Sequence, residues 1–292
     1  MPPPSSGGVA LIEALNILRR FPLASAGHNS SLHLHWLAEA FKHAFADRAR
    51  HLGDTDFVKV PVARLTSRAY ADRLSRRIGR KVKPRDSYGS PAAARAPSGG
   101  SGGTSHLSVV DGDGNAVAMT STINTSFGSL VVAERSGIIL NNQMDDFAAR
   151  PGEPNFFGLI QGEGNTVAAG KRPLSSMTPT IVTRGDRLVL VVGASGGPTI
   201  ITGTLQVISN VLDFGLEAAD AVARSRVHHQ WVPEPLVVEQ DLPEDVSRAL
   251  RRRGHRIQVW PRLYTAVQLV LVRDGRLYGV SDPRKQGAPA GY

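Results

Sequence analysis

Four stretches of the chain carry residues able to do covalent or charged-group chemistry. Gly193-Ala194-Ser195-Gly196-Gly197 fits the pattern G-x-S-x-G, after an apolar run and before a helix-like one. That is the setting of a nucleophile elbow, where a sharp turn exposes a serine hydroxyl. His228, His229 and His255, with Asp213 and Asp220, follow it in the chain, so a serine-hydrolase triad can be drawn from them. The same glycines allow another use, because a strand-to-helix turn can offer its N–H groups to an anion without any attack by Ser195. Thr104 directly follows a Gly-rich stretch and opens a strand-like segment. A threonine hydroxyl is a weak nucleophile unaided, but a cut just before it would free an α-amine to act as its base. Such an amine has an ordinary pKa of about 8, close to working pH. Asn141-Asn142-Gln143-Met144-Asp145-Asp146 places amides and carboxylates after the apolar residues 137–140. There they could grip an ammonium group or simply turn the chain. Ser175-Ser176, behind Lys171-Arg172-Pro173-Leu174, could hold a carboxylate.

The elements that must position these residues fall into two parts. Residues 8–21 read as a helix with Val9, Leu11, Ile12, Ala14, Leu15, Ile17 and Leu18 on a broad apolar face. A second helix is expected over 31–46 and a third, basic one over 65–78. His33 and His35 stand two apart on the second helix and so share no face, which argues against a metal site there. Residues 83–103 are rich in Pro, Ser, Ala and Gly and end in SGGSGG, a linker composition and the clearest boundary in the chain. From Thr104 the period becomes two. Leu107, Val109, Ala116 and Ala118 flank Asp111-Gly112-Asp113-Gly114-Asn115, which predicts a β-hairpin. Strands are expected over 137–140, 178–183, 188–192, 265–272 and 276–281, and helices over 198–214, 218–225 and 243–253. The part from 104 onward therefore mixes antiparallel strands with helices, and no repeat runs through it.

Composition narrows the function classes. With no cysteine in the 292 residues, disulfides and thiolate metal sites are excluded. No apolar run approaches the roughly 18 residues of a membrane span, and the opening Met1-Pro2-Pro3-Pro4-Ser5-Ser6 lacks the basic and apolar regions of a signal peptide. The formal net charge of +9 sits entirely before Thr104, where 16 Lys/Arg face 7 Asp/Glu; beyond it 18 face 18. Much of the excess lies in residues 76–85, RRIGRKVKPR. No aromatic residue interleaves with those charges, so bases would have no stacking platform, and the run reads as a solvated helix end rather than a nucleic-acid patch.

Taken together the motifs resemble the γ-glutamyltranspeptidase family, in order and over nearly the whole chain. PPPSSGG at 2–8 and LGDTDFVKVP at 52–61 are similar to its large subunit. TSHLSVVDGDGNAV at 104–117, TSTIN at 120–124, NNQMDDF at 141–147, KRPLSSMTPTIV at 171–182, GASGG at 193–197 and SDPRKQGAPAGY at 281–292 are similar to its small subunit. The resemblance implies an α+β fold, the four-layer αββα sandwich of N-terminal-nucleophile hydrolases. It implies a large-subunit portion over 1–103, a catalytic small subunit over 104–292, and self-cleavage between Gly103 and Thr104 into a heterodimer. Thr104 would attack the γ-amide of a glutathione-like donor, with Thr122 orienting its hydroxyl and Gly196 and Gly197 supplying the oxyanion hole. Asn124, Gln143 and Asp146 would hold the donor's α-ammonium, and Ser175 and Ser176 its α-carboxylate. The acyl group would pass to water, an amino acid or a peptide. No cofactor, metal or nucleic acid is implied, and the setting would be the bacterial periplasm or outside the cell. The chain departs from the family in one respect: the family's large subunit is much longer than 103 residues and carries a carboxylate-binding arginine with no match here. A remnant lacking activity, half of a complementing pair, or an acylase of the same fold are the alternatives this leaves.

Overall fold

The computed structural model of the chain describes residues 1–89 and 103–292. Most of the linker expected over 83–103 thus lies outside the described residues. Five helices precede it: α1 (Gly7–Leu18), α2 (Leu23–Ala26), α3 (Ser31–His51), α4 (Val62–Leu65) and α5 (Arg68–Ser75). After it come β1 (Thr104–Val110), β2 (Ala116–Thr122), β3 (Val132–Ala133), β4 (Ile138–Ile139), β5 (Thr180–Arg184) and β6 (Arg187–Ser195). Then follow α6 (Thr199–Leu212), α7 (Ala218–Ala223), β7 (Val227–His228), β8 (Leu236–Glu239), α8 (Glu244–Arg252), β9 (Ile257–Trp260), β10 (Ala266–Arg273) and β11 (Arg276–Ser281).

Two antiparallel sheets face each other. The larger has the order β11-β10-β6-β5; the smaller is the β1–β2 hairpin, which packs on β6 and β10. Helix α6 covers the far side of β6 and β10, and α1 packs on both α6 and α3. Leu190, Val192, Ala194, Ile201, Leu205, Val267, Leu269 and Leu271 join Ala14, Ile17, Leu34, Leu37 and Phe41 in one buried core. The α+β class is therefore as expected, with three of the four sandwich layers formed by the described residues. The fourth side is open. Leu107, Val109, Val117 and Met119, paired across the hairpin, point away from β6 and are 43–54% exposed. Polar His106 and Ser108 face inward instead, so the hairpin inverts the usual half-buried pattern.

Local chemistry explains where the elements begin and end. Ser30 Oγ accepts from His33 N at 3.2 Å and caps α3, whose last turn carries Arg48, Arg50 and His51 at the negative end of the helix dipole. That helix runs past residue 46, the end expected from its apolar spacing, to His51. The single basic helix expected over 65–78 is instead two, because Ser67 is extended and its hydroxyl caps Tyr70 N at 3.2 Å, starting α5 afresh. The strand expected over 137–140 shrinks to Ile138–Ile139, since Gly137 turns the chain at φ +68°. The basic run 76–85 is largely exposed and lies beside the end of α8, with Val82 N donating to Arg253 O at 2.9 Å.

Candidate active site

Thr104 begins β1 and is 8% exposed, and the antiparallel register sets Thr122 directly opposite it. Their hydroxyl oxygens are 2.8 Å apart. Asn124 N donates to Thr122 Oγ at 2.8 Å, which leaves the Thr122 proton free to point at Thr104 Oγ. Asn124 itself sits at φ +79°, a conformation asparagine tolerates better than most residues, and this bends the chain off the end of β2 into the site. The peptide before Thr104 is held as well: Ile123 N donates to Gly103 O at 2.8 Å, and a Cβ at Gly103 would overlap Thr125 O.

One cleft gathers Thr104, Thr122, Asn124, Gln143, Asp146, Ser175, Ser176 and Gly197, with Phe157, Met177, Pro198 and Ile200 between them. Residues 141–146 are both a turn and a wall of this cleft. Gln143–Asp146 form one 3-10 turn, in which Gln143 Nε2 donates to Asp146 Oδ2 at 2.6 Å, while Asp145 takes Asn142 Nδ2 at 2.8 Å on the outside. Asp146 is 7% exposed. Burial pushes its carboxyl up to about 7, against the opposing pull of the Arg48 charge and of hydrogen bonds from Gln143 and Asn124. Its backbone carbonyl accepts from Gln161 Nε2 and Asn165 Nδ2, each at 2.8 Å, so the turn is fixed from behind.

The serine wall is tied to the chain's first residues. Ser6 N and Ser6 Oγ donate to Ser175 O at 2.8 and 2.7 Å, and Ser175 N donates to Pro4 O at 3.1 Å. Upstream, Arg172 grips the fully buried Asp54 with Nε and Nη2 at 2.9 and 2.5 Å. These hydrogen bonds hold the Asp54 carboxyl well below the usual carboxylate range. The LGDTD and KRPLSS stretches, 118 positions apart, thus form one clamp. Arg48 lies behind this loop, donating to Ser6 Oγ at 2.9 Å and to Leu174 O at 3.4 Å, and does not line the cleft.

The Ser195 triad does not assemble. Ser195 is buried at the end of β6 and accepts from Lys285 Nζ at 2.9 Å. His228 is bound to Thr202 and Gln230, His229 accepts from Trp231 N, and His255 faces His35 at 2.8 Å. Asp213 accepts from Ser209 at 2.6 Å, and Asp220 stands by Arg224. Sequence spacing also missed the partner of His35: it comes from 220 residues away, with Glu39 close enough to complete a set of three metal-type ligand atoms within 4.8 Å. Lys42 Nζ, 2.7 Å from Glu39, already supplies the positive charge in that cluster. A groove of about 760 Å³ lies elsewhere, between Leu11, Leu15, Ile181 and Leu212, and its walls are mostly apolar.

With this geometry in place, the family comparison is decisive: the gamma-glutamyltranspeptidase family model matches residues 1–292. The chain belongs to that family. The glutathione hydrolase proenzyme of Escherichia coli (strain K12) is 46% identical over 294 residues, covering 100% of the chain and 50% of that relative. A γ-glutamyltranspeptidase from Pseudomonas nitroreducens, solved with L-DON, superposes with a TM-score of 0.61 at 40% identity over 64% of the chain and 98% of its own. A cephalosporin acylase from Bacillus halodurans matches 100% of the chain and 50% of its own at a TM-score of 0.82 and 28% identity. The chain spans about half the length of the curated relatives it matches. For a γ-glutamyltranspeptidase-family chain, the facing sheets are those of an N-terminal-nucleophile hydrolase.

Proposed function

We propose that this chain supplies the catalytic centre of a γ-glutamyl hydrolase and transferase, with Thr104 as its nucleophile. The observation that carries the reading is the 2.8 Å contact of the Thr104 and Thr122 hydroxyls at the mouth of a cleft that also holds Asp146 and the two serines. In this reading the chain is cut between Gly103 and Thr104, giving a portion over 1–103 and a small subunit over 104–292 that remain together as a heterodimer. The freed amine of Thr104 takes the proton from Oγ as Oγ attacks the γ-carbonyl of a glutathione-like donor. Thr122 orients that oxygen, and the N–H groups of Gly196 and Gly197 receive the developing oxyanion. Collapse expels the donor's amine, which takes the proton, and leaves a γ-glutamyl ester on Thr104. Water or the amine of an amino acid or peptide then attacks the ester and restores the hydroxyl.

Head-group chemistry separates this reading from an acylase of the same fold, which the superposition on the cephalosporin enzyme would also fit. A buried carboxylate with two amides suits an α-ammonium, and the Ser175 and Ser176 hydroxyls suit an α-carboxylate. The exposed row Leu107, Val109, Val117 and Met119 is where the remaining half of the protein would pack, and that half would bring the cation opposing the carboxylate. The test is N-terminal sequencing of the mature protein. The fragment holding residues 104–292 should begin Thr-Ser-His-Leu, and Thr104→Ala should stay a single 31.2 kDa chain with no donor turnover. An active preparation cut elsewhere, or an active Thr104→Ala, overturns the reading.

A further inference from the structure

We propose that Thr265 and Thr199 are positioning residues: two hydroxyls in series that hold the Gly196 carbonyl and so aim the N–H of Gly197, which lies in the same peptide plane. The inference rests on the reading above, in which that turn receives the oxyanion.

Gly196 and Gly197 lie at φ +133° and +59°, both in the region that only glycine enters freely. The freedom that admits glycine to this turn also lets it leave, so a diglycine turn keeps one shape only where its surroundings impose it. Here they do. Thr199 Oγ donates to Gly196 O at 2.7 Å. Thr265 Oγ bonds Thr199 Oγ, with Thr199 O as a second acceptor 3.1 Å away that shares the same proton. Each hydroxyl has a single proton. Because the Thr199 proton goes to Gly196 O, Thr199 Oγ must accept from Thr265, and the relay runs in one direction only. Its outer end is rigid. Thr265 is fully buried, Arg226 Nη1 donates to its carbonyl at 3.1 Å, and its methyl fills the space where Gly203 has no Cβ. On Gly197's side the Phe157 ring closes the space, 3.0 Å from where a Cβ would stand. The turn is thus packed between Thr265 and Phe157, and among the described residues it is the threonine hydroxyls that hold the rotation of the Gly196–Gly197 peptide. Sub-ångström aim matters for a group that must meet charge in a transition state.

Valine tests this, since it keeps the shape and the methyl contact on Gly203 while removing the hydroxyl. In the full enzyme, Thr265→Val should lower kcat by roughly 10- to 100-fold, the scale of a misaimed group. It should weaken, by a similar factor, a boronic-acid analogue of the γ-glutamyl group, which becomes tetrahedral and anionic on the nucleophile. KM and inhibition by free glutamate, which carry no such charge, should stay within about twofold. Thr265→Ser should restore both lost quantities, and amide exchange should rise over residues 193–200 in Thr265→Val alone. An unchanged kcat and boronate affinity in Thr265→Val would overturn the inference. So would a fall in kcat that Thr265→Ser shares and a lowered melting temperature accompanies, since that is a packing defect. Failure of the parent reading is seen separately, as turnover surviving in Thr104→Ala.

Discussion

The hairpin that carries Thr104 and the turn that carries Gly197 meet in one cleft, yet one is covered on a single side and the other is enclosed. The hairpin rests its polar face on β6 and β10 and leaves an apolar row in solvent. Behind the turn, by contrast, stand Arg226 and Asp282, 2.7 Å apart and both fully buried, and Arg284, which binds Asp282 and Glu239 at 3.1 and 2.5 Å. Burial alone would raise the Asp282 carboxyl, but the Arg226 and Arg284 charges outweigh it and hold it below its usual range. The difference is between one wall of the cleft that is enclosed and one whose outer apolar row stays in solvent.

The largest effect should come from breaking the enclosed wall. Asp282→Asn leaves the Arg226 charge without its closest partner in a dry site, and urea unfolding should show a loss of about 3–5 kcal/mol. A loss under about 1 kcal/mol would mean the cluster is no stronger than a surface ion pair. Next is the cleft between the walls. Asp146→Asn should raise the donor KM by about tenfold or more, with the Gly103–Thr104 cut unaffected because no substrate takes part in it. In the native enzyme donor binding should weaken as pH falls through about 7, where Asp146 gains its proton, and Asp146→Asn should lose that limb. Stability should move the opposite way. The folded carboxyl holds a proton that the unfolded chain releases near pH 4, so stability falls as pH rises from about 4 to about 7 and stays at the lower level above it. Asp146→Asn should therefore melt no lower than the native protein at pH 8. A lowered melting temperature beside an unmoved KM would reduce residues 141–146 to a structural turn. The smallest effect is expected on the open wall. Leu107→Ser with Met119→Ser should change the chain's own stability by no more than about 0.5 kcal/mol per site, as exposed positions do. A larger loss in urea unfolding of the chain by itself would show that the row is already covered, against the comparison drawn above.

Much of this was legible in the residues. The family resemblance put Thr104, Thr122, Asn124, Gln143, Asp146, Ser175, Ser176, Gly196 and Gly197 in one expected site; eight of them line the cleft, and Gly196 stands just behind it. Periodicity found β6, β10 and α6, whose apolar residues are buried in runs long enough to declare themselves. The short strands β7 and β9 escaped, because two to four residues carry no period, and β8, buried throughout, does not alternate. The Ser195 triad failed because chain order says nothing about which partner a histidine finds; His228, His229 and His255 are each engaged elsewhere. Arg226, Thr199 and Thr265 left no signal, since an isolated Arg or Thr in an apolar stretch looks like any other until its partners arrive from 39 or 66 residues away.

The hairpin's turn has a consequence at its far end. Asp111 closes it by accepting from Asp113 N, Asn115 N and Asn115 Nδ2 at 3.0, 2.9 and 2.8 Å, and from that closure the ladder counts down seven pairs to Thr104 opposite Thr122. Because successive side chains alternate faces, adding or removing one residue in this exposed loop would exchange the two faces of every later pair. With β1 held on β6 and β10, Thr122 would leave its place opposite Thr104 and its hydroxyl would face the other side of the ladder. The loop at 111–115 works as a ruler: it lies outside the cleft, yet its length decides whether Thr104 and Thr122 stand opposite one another.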